Sequence, residues 1–199
     1  RMREPVDERP LLDDPEPQPG KRGGAAVLEW VGVVLLAVVL AFLITRFVLQ
    51  RNVVVGTSMM DTLISGDQLF VEKVSRHFGG LDYGDIITFK GEHLAHGVLA
   101  EDDLVKRIIG KEGDQIEIRD GLVWRNGELL DKPYLRDGAT TEERDPQFSS
   151  VIVPEGEYYV LGDNRAVSKD SRSFGSIIEE DIIGEVWIRV YPFDRIGFP

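Results

Sequence analysis

A long apolar run near the N-terminus, AAVLEWVGVVLLAVVLAFLITRFVLQ, constrains this chain more than any other feature. Residues 30–45 are 16 positions without a charge, about 24 Å of helix. With Glu29 and Arg46 reaching toward the interfaces, residues 25–49 extend to about 37 Å, against a hydrocarbon layer of about 30 Å. A segment of this length spans a membrane with some tilt. A cleaved leader is one alternative, but no small-x-small cleavage site follows the run, and the long acidic, Pro-rich stretch before it makes a poor leader start. A buried core helix is another, but apolar residues occupy every face and leave no polar stripe. Residues 25–49 are therefore expected to be a transmembrane helix. Lys21 and Arg22 flank one end and Arg46 and Arg51 the other, so local charge barely decides its orientation.

The rest of the chain divides around this helix. Residues 1–24 are polar and Pro-rich and are expected to be a disordered tail. From residue 52 the pattern turns to β. QLFVEKV, DIITFK, LVKRIIG, QIEIRDGLVWRNGELL, EYYVLGD and EVWIRVYP are short runs rich in β-branched and aromatic residues, punctuated by Gly and Asp. Asp120-Gly121 and Asn126-Gly127 are hairpin signals. Residues 91–103 and 136–150 read as long loops. The expected fold is mainly β: an antiparallel β-sheet domain over residues 52–199 on an N-terminal transmembrane helix.

Charge and composition exclude several functions. The first 51 residues carry seven basic and seven acidic side chains, so the remaining 16 basic and 28 acidic ones hold the whole formal charge of −12. Such an acidic domain is a poor nucleic-acid binder. The absence of Cys removes thiol catalysis, disulfides and Cys-based metal sites. His93 and His96 in GEHLAHG have a weak metal-like spacing without a third ligand nearby and read as a solvated loop. No metal or cofactor is expected.

Three segments carry candidate chemistry. In GTSMMDTLISGD (residues 56–67), Ser58 to Asp61 fits a helix capping box. If Ser58 is instead a nucleophile, something must take its proton, and no His stands in a suitable motif. In LVKRIIGKEGD (residues 104–114), Lys106 and Arg107 cannot share a strand face, so one of them should meet the interior. Deprotonating an ordinary Lys at pH 7 costs about 4.6 kcal/mol, but apolar burial lowers its pKa and makes the neutral amine a base. A surface Lys with its head in water is the alternative. In LGDNRAVSKDSRSFG (residues 161–175), Asp163, Arg165, Asp170 and Arg172 are placed to form a salt-bridged brace.

Together, in this order behind a membrane anchor, the three segments resemble the bacterial type I signal peptidases, serine proteases that use a Ser/Lys dyad. SMMDTL is similar to their nucleophile box, Ser-Met-x-Pro-Thr-Leu. LVKRIIGKEGD is similar to the general-base box, and GDNRAVSKDSRSFG to Gly-Asp-Asn-Arg-x-x-Ser-x-Asp-Ser-Arg-x-x-Gly. The resemblance covers most of residues 27–198. It implies Ser58 as nucleophile and Lys106 as general base. Ser168 matches the family's Ser that hydrogen-bonds and orients the Lys amine. Asp170 and Arg172 match a supporting pair, and Gly162, Asp163, Asn164 and Arg165 the surrounding frame. Val54, Met59, Leu63 and Val105 match positions lining shallow pockets for the small side chains of an Ala-x-Ala cleavage site, whose apolar floor rejects larger ones by overlap.

The resemblance further implies secretory pre-proteins as partners, contact with membrane lipid, a cytoplasmic N-terminus and an extracytoplasmic catalytic domain. The backbone N–H of Ser58 is the expected oxyanion donor. Four departures stand out. Asp61 replaces the family's Pro, and a carboxylate there can oppose the oxyanion or hold Lys106 protonated; Asp61→Pro is expected to leave activity equal or higher. Gly56 sits where some members carry a Ser that supplies a second oxyanion donor. Glu112 replaces a frequent Pro, and Ala166-Val167 a frequent Asp-Asn. Two other functions compete. A self-cleaving repressor-type protease is disfavoured by the N-terminal span and the lack of a DNA-binding helix pair. A catalytically impaired, membrane-tethered β-domain that binds secretory chains is disfavoured by the joint presence of Ser58, Lys106 and Ser168.

Overall fold

The computed structural model describes residues 22–75, 80–91, 94, 103–130 and 132–199. Residues 1–21 of the tail expected over 1–24 and the His93–His96 pair lie outside them, while residues 22–24 belong to the first helix. The chain separates into two compact units, Arg1–Ala41 and Phe42–Pro199.

Helix α1 runs from Arg22 to Phe47, two residues short of the expected end. Within it, Val27–Phe47 is 21 residues long with a mean hydropathy of 2.8 and no buried position. Trp30, Leu36 and Phe42 are all exposed. The helix is long enough, at about 31 Å, and apolar enough to cross a membrane.

The second unit is built from antiparallel strands. β1 (Leu49–Val53), β2 (Gln68–Glu72), β3 (Ile86–Phe89) and β4 (Leu104–Lys111) lie in a seven-stranded sheet. With them are β9 (Glu157–Leu161), β10 (Ile177–Ile178) and β11 (Ile182–Tyr191), in the order β1-β2-β11-β3-β4-β9-β10. A four-stranded sheet has the order β7-β6-β5-β8 and comprises β5 (Gln115–Arg119), β6 (Leu122–Arg125), β7 (Glu128–Leu129) and β8 (Ser150–Ile152). The expected mainly β, antiparallel architecture is the one observed. Asp120-Gly121 and Asn126-Gly127 turn the chain between β5, β6 and β7, all four residues at positive φ, as a type I′ turn requires. Strand β1 starts three residues before the expected β boundary. Strands β8 and β10, of three and two residues, were not expected.

Alternation places the core. In β2, Leu69 and Val71 are buried between more exposed neighbours. They join Val54, Met59, Leu63, Ile86 and Val186 in an apolar cluster against which Val105 packs. β4 lies between β3 and β9, and its residues 106–110 are buried on both faces. This central strand delivers Lys106 to the candidate site.

Candidate active site

Ser58 is carried by residues 54–67, the connection from β1 to β2. Its neck is closed by Val54 N–H donating to Asp67 C=O at 2.8 Å and Gly66 N–H to Val54 C=O at 2.9 Å. Inside it, Met59 and Leu63 point into the apolar cluster, and Thr62 and Leu63 N–H groups both donate to Met59 C=O. Hydrophobic anchoring thus holds the turn that presents Ser58. The capping box does not form: no helix follows, and the side chains of Ser58 and Asp61 have other partners.

Lys106 Nζ lies 2.8 Å from Ser58 Oγ and donates to Val105 C=O at 2.9 Å. Only 2% of Lys106 is exposed. Burial pulls its pKa down to about 8, while the charges of Asp170 and Asp163 push it back up. Each of those carboxylates is matched by an Arg, which weakens its hold on the amine, so desolvation prevails. One of Lys106 and Arg107 was expected to meet the interior, and both do, since Arg107 is buried as well. A buried guanidinium needs full pairing. Arg107 finds it in Asp163, at 2.9 Å from Nε and 2.6 Å from Nη2, and in Gly84 C=O at 2.7 Å.

Of the four residues expected to brace the site, only Asp170 and Arg172 pair with each other. Asp163 holds Arg107 and accepts from Thr62 Oγ1 at 2.6 Å, tying β4 to the Ser58 turn. Asp170 and the fully buried Arg172 pair through two contacts of 2.8 Å. Asp170 also accepts from Gly162 N–H at 3.0 Å, and Arg172 reaches Arg165 C=O at 2.8 Å and Glu142 C=O at 3.0 Å. Arg165 joins neither carboxylate and donates instead to Gly162 C=O and Thr141 Oγ1.

Gly162 and Asn164 touch the nucleophile turn itself. Asn164 N–H donates to Ser58 C=O at 2.9 Å, and its side-chain amide to Thr57 C=O at 3.0 Å. A Cβ on Gly162 would meet the Ser58 carbonyl oxygen at 2.5 Å and Ser168 Cβ at 2.6 Å, and overlap Ser168 Oγ. Only glycine allows this approach. Ser168 itself differs from expectation. Its Oγ is buried and has no hydrogen-bond partner among the described residues, so the implied bond to the Lys106 amine is not formed.

A cleft of about 320 Å³ opens beside Ser58 and Lys106. Val54, Met59 and Val105 line it, together with Gly56 and Leu69. Leu63, expected among the lining residues, is fully buried in the cluster that includes Met59 and does not line the cleft. Leu69 carried no motif signal; only its alternation in β2 could have marked it. Asp61 is corrected too. Its carboxylate is bound by Arg136, which holds its pKa below the ordinary value. Its φ of 87° is closed to Pro, whose ring fixes φ near −65°. The expectation that Asp61→Pro is harmless therefore does not fit this turn.

A family model described as signal peptidase, peptidase S26, matches residues 27–191. Signal peptidase IB of Staphylococcus aureus (strain COL) is 36% identical over 182 residues, covering 85% of this chain and 92% of that protein. Signal peptidase I T of Bacillus subtilis (strain 168) is 37% identical over 175 residues, covering 85% of this chain and 88% of that protein. A crystal structure of a signal peptidase I from Enterococcus faecalis V583 aligns with a TM-score of 0.44 and 30% identity, covering 53% of this chain and 96% of that one. With a family model over most of its length and relatives above 30% identity along most of both sequences, the chain belongs to the signal peptidase family, peptidase S26.

Proposed function

We propose that this chain is a membrane-anchored serine endopeptidase that removes N-terminal signal peptides from secretory pre-proteins after Ala-x-Ala-like sites, with Ser58 as nucleophile and Lys106 as general base. The observation that carries this reading is the 2.8 Å contact between Ser58 Oγ and an amine that burial brings down to about 8. Neutral Lys106 takes the hydroxyl proton as Oγ attacks the carbonyl carbon of the scissile bond. The resulting ammonium returns that proton to the departing amine, which becomes the new N-terminus. The acyl-enzyme is then cleaved by a water that Lys106 deprotonates in turn.

The cleft walled by Val54, Met59 and Val105 receives the two small side chains before the cut. Gly162, Asp163, Asp170 and Arg172 hold the frame around the dyad. Helix α1 spans the membrane with the N-terminus cytoplasmic and residues 52–199 outside. The anchor keeps the site beside the membrane that also holds the substrate's apolar segment, and so replaces a three-dimensional search.

The test is cleavage of a secretory precursor in lipid vesicles, with the new N-terminus read by mass spectrometry. Release of one product cut after Ala-x-Ala, and loss of cutting when the Ala before the bond is replaced by Leu, are expected. Cleavage at scattered positions, or unchanged cutting of the Leu precursor, would refute the pocket assignment.

A further inference from the structure

The nucleophile turn is held from a second direction, by the end of the chain. Past β11 the chain passes through Pro192 into a 3-10 turn, Phe193–Arg195, and doubles back. Arg189 N–H then donates to Gly197 C=O at 2.9 Å, and Gly197 N–H returns the bond at 3.1 Å. This reversal sets two guanidinium groups side by side. Arg189 Nη1 donates to Thr62 C=O at 2.8 Å, and Arg195 Nη2 reaches the same carbonyl at 3.4 Å. Both groups also face Asp67, with Arg195 Nη1 at 3.0 Å from Oδ1 and Arg189 Nη1 at 3.5 Å from Oδ2. The Asp67 side chain is fully buried and accepts from Ile64 N–H at 3.0 Å.

These contacts converge on the backbone that follows Ser58. The Thr62 carbonyl receives both Arg side chains, and the Thr62 N–H binds the carbonyl of Met59, the residue next to Ser58. Asp67 closes the far end of the same connection. The buried Asp67 carboxylate is held by both guanidinium groups and by Ile64 N–H, and losing either group weakens the pairing of a charge kept from water.

We propose that Arg189 and Arg195, acting through Asp67 and the Thr62 carbonyl, are positioning residues for Ser58, so that the last residues of the chain set the rate of the chemical step. The inference rests on Ser58 being the nucleophile. Neither Arg lines the cleft, so neither touches substrate, and the larger effect is expected on the chemical step. Loss of a fork lets the turn drift relative to Lys106, and displacements near 1 Å cost about a hundredfold in rate.

The experiment compares the full-length protein in detergent with Arg195→Gln, Arg189→Gln, Arg195→Lys and Ser58→Ala. Kinetics use an Ala-x-Ala peptide at a temperature where circular dichroism shows each variant folded. Arg195→Gln and Arg189→Gln are expected to lower kcat about tenfold or more with KM within about twofold of wild type. Arg195→Lys, which keeps the charge toward Asp67, is expected to recover part of the loss. Two folded Gln variants with wild-type kcat, or a loss confined to KM, would overturn the inference while leaving the nucleophile assignment intact. Cleavage surviving in Ser58→Ala would remove that assignment and the inference with it.

Discussion

With Lys106 as the proposed general base, its buried amine makes the rate of this enzyme a titration curve. At a pKa of about 8, roughly one-tenth of the Lys106 amines are neutral at pH 7, against about one in 3,000 at the ordinary value. Burial thus raises the working base about 300-fold, a change worth about 3.4 kcal/mol. Because the active form is the unprotonated one, activity is lost as pH falls. With an Ala-x-Ala peptide lacking groups that titrate in the range, log kcat/KM should climb with unit slope between about pH 5.5 and 7.5 and level off above about pH 9. Lys106→Arg, which keeps a charge that cannot be removed near neutrality, should be inactive across the whole range. A profile flat from pH 6 to 8, or one that bends only near 10, would show that the amine is not the desolvated base inferred from its surroundings.

Other perturbations follow from the same geometry. Gly162→Ala drives a methyl group against the Ser58 carbonyl oxygen; it should cost about 1–3 kcal/mol of stability in a thermal melt and most of the activity. Asp61→Gly keeps the left-handed turn and gives up only a solvent-screened ion pair with Arg136, so peptide cleavage should stay near wild type. Asp61→Pro should abolish it, and a fully active Pro variant would mean that the turn tolerates rebuilding. Glu185 lies directly across from Glu72 in the β11–β2 register. Burial, then the charges of Asp85, Glu72 and Asp82, push its pKa up to about 7. Its unfolded form loses the proton first, so stability declines as pH rises from about 4.5 to 7. Glu185→Gln should therefore raise Tm at pH 8 and lose that advantage by pH 5; equal gains at both would exclude titration as the cause.

What the sequence made legible was mostly local. Asp-Gly and Asn-Gly located both hairpin turns, because their chemistry is settled within four residues. Strand alternation separated Lys106 from Arg107, but could not say where each went. Both are buried because segments distant in sequence cover them, the Ser58 turn at Lys106 and Gly84, Tyr134 and Asp163 at Arg107. Asp163 was expected to find an Arg within its own loop. It pairs instead with Arg107, 56 residues away, since the loop folds against β4. The same distance problem hid Asp61–Arg136, 75 residues apart, and Asp67–Arg195, 128 apart. A carboxylate in a motif announces a partner without naming it. Ser168 was legible as a buried polar residue of the site, but the bond inferred for it is absent, and its hydroxyl packs near Gly162. Strands β8 and β10 escaped because segments of three and two residues carry no period.

The central claim is that Ser58 and Lys106 act as one catalytic unit, and cleavage of a purified secretory precursor by wild type, Ser58→Ala and Lys106→Ala tests it most directly. The account predicts a product cut after Ala-x-Ala with wild type and none with either variant, all three proteins being folded. Cleavage that survives in either variant would contradict the dyad and send the search for the base elsewhere in the cleft.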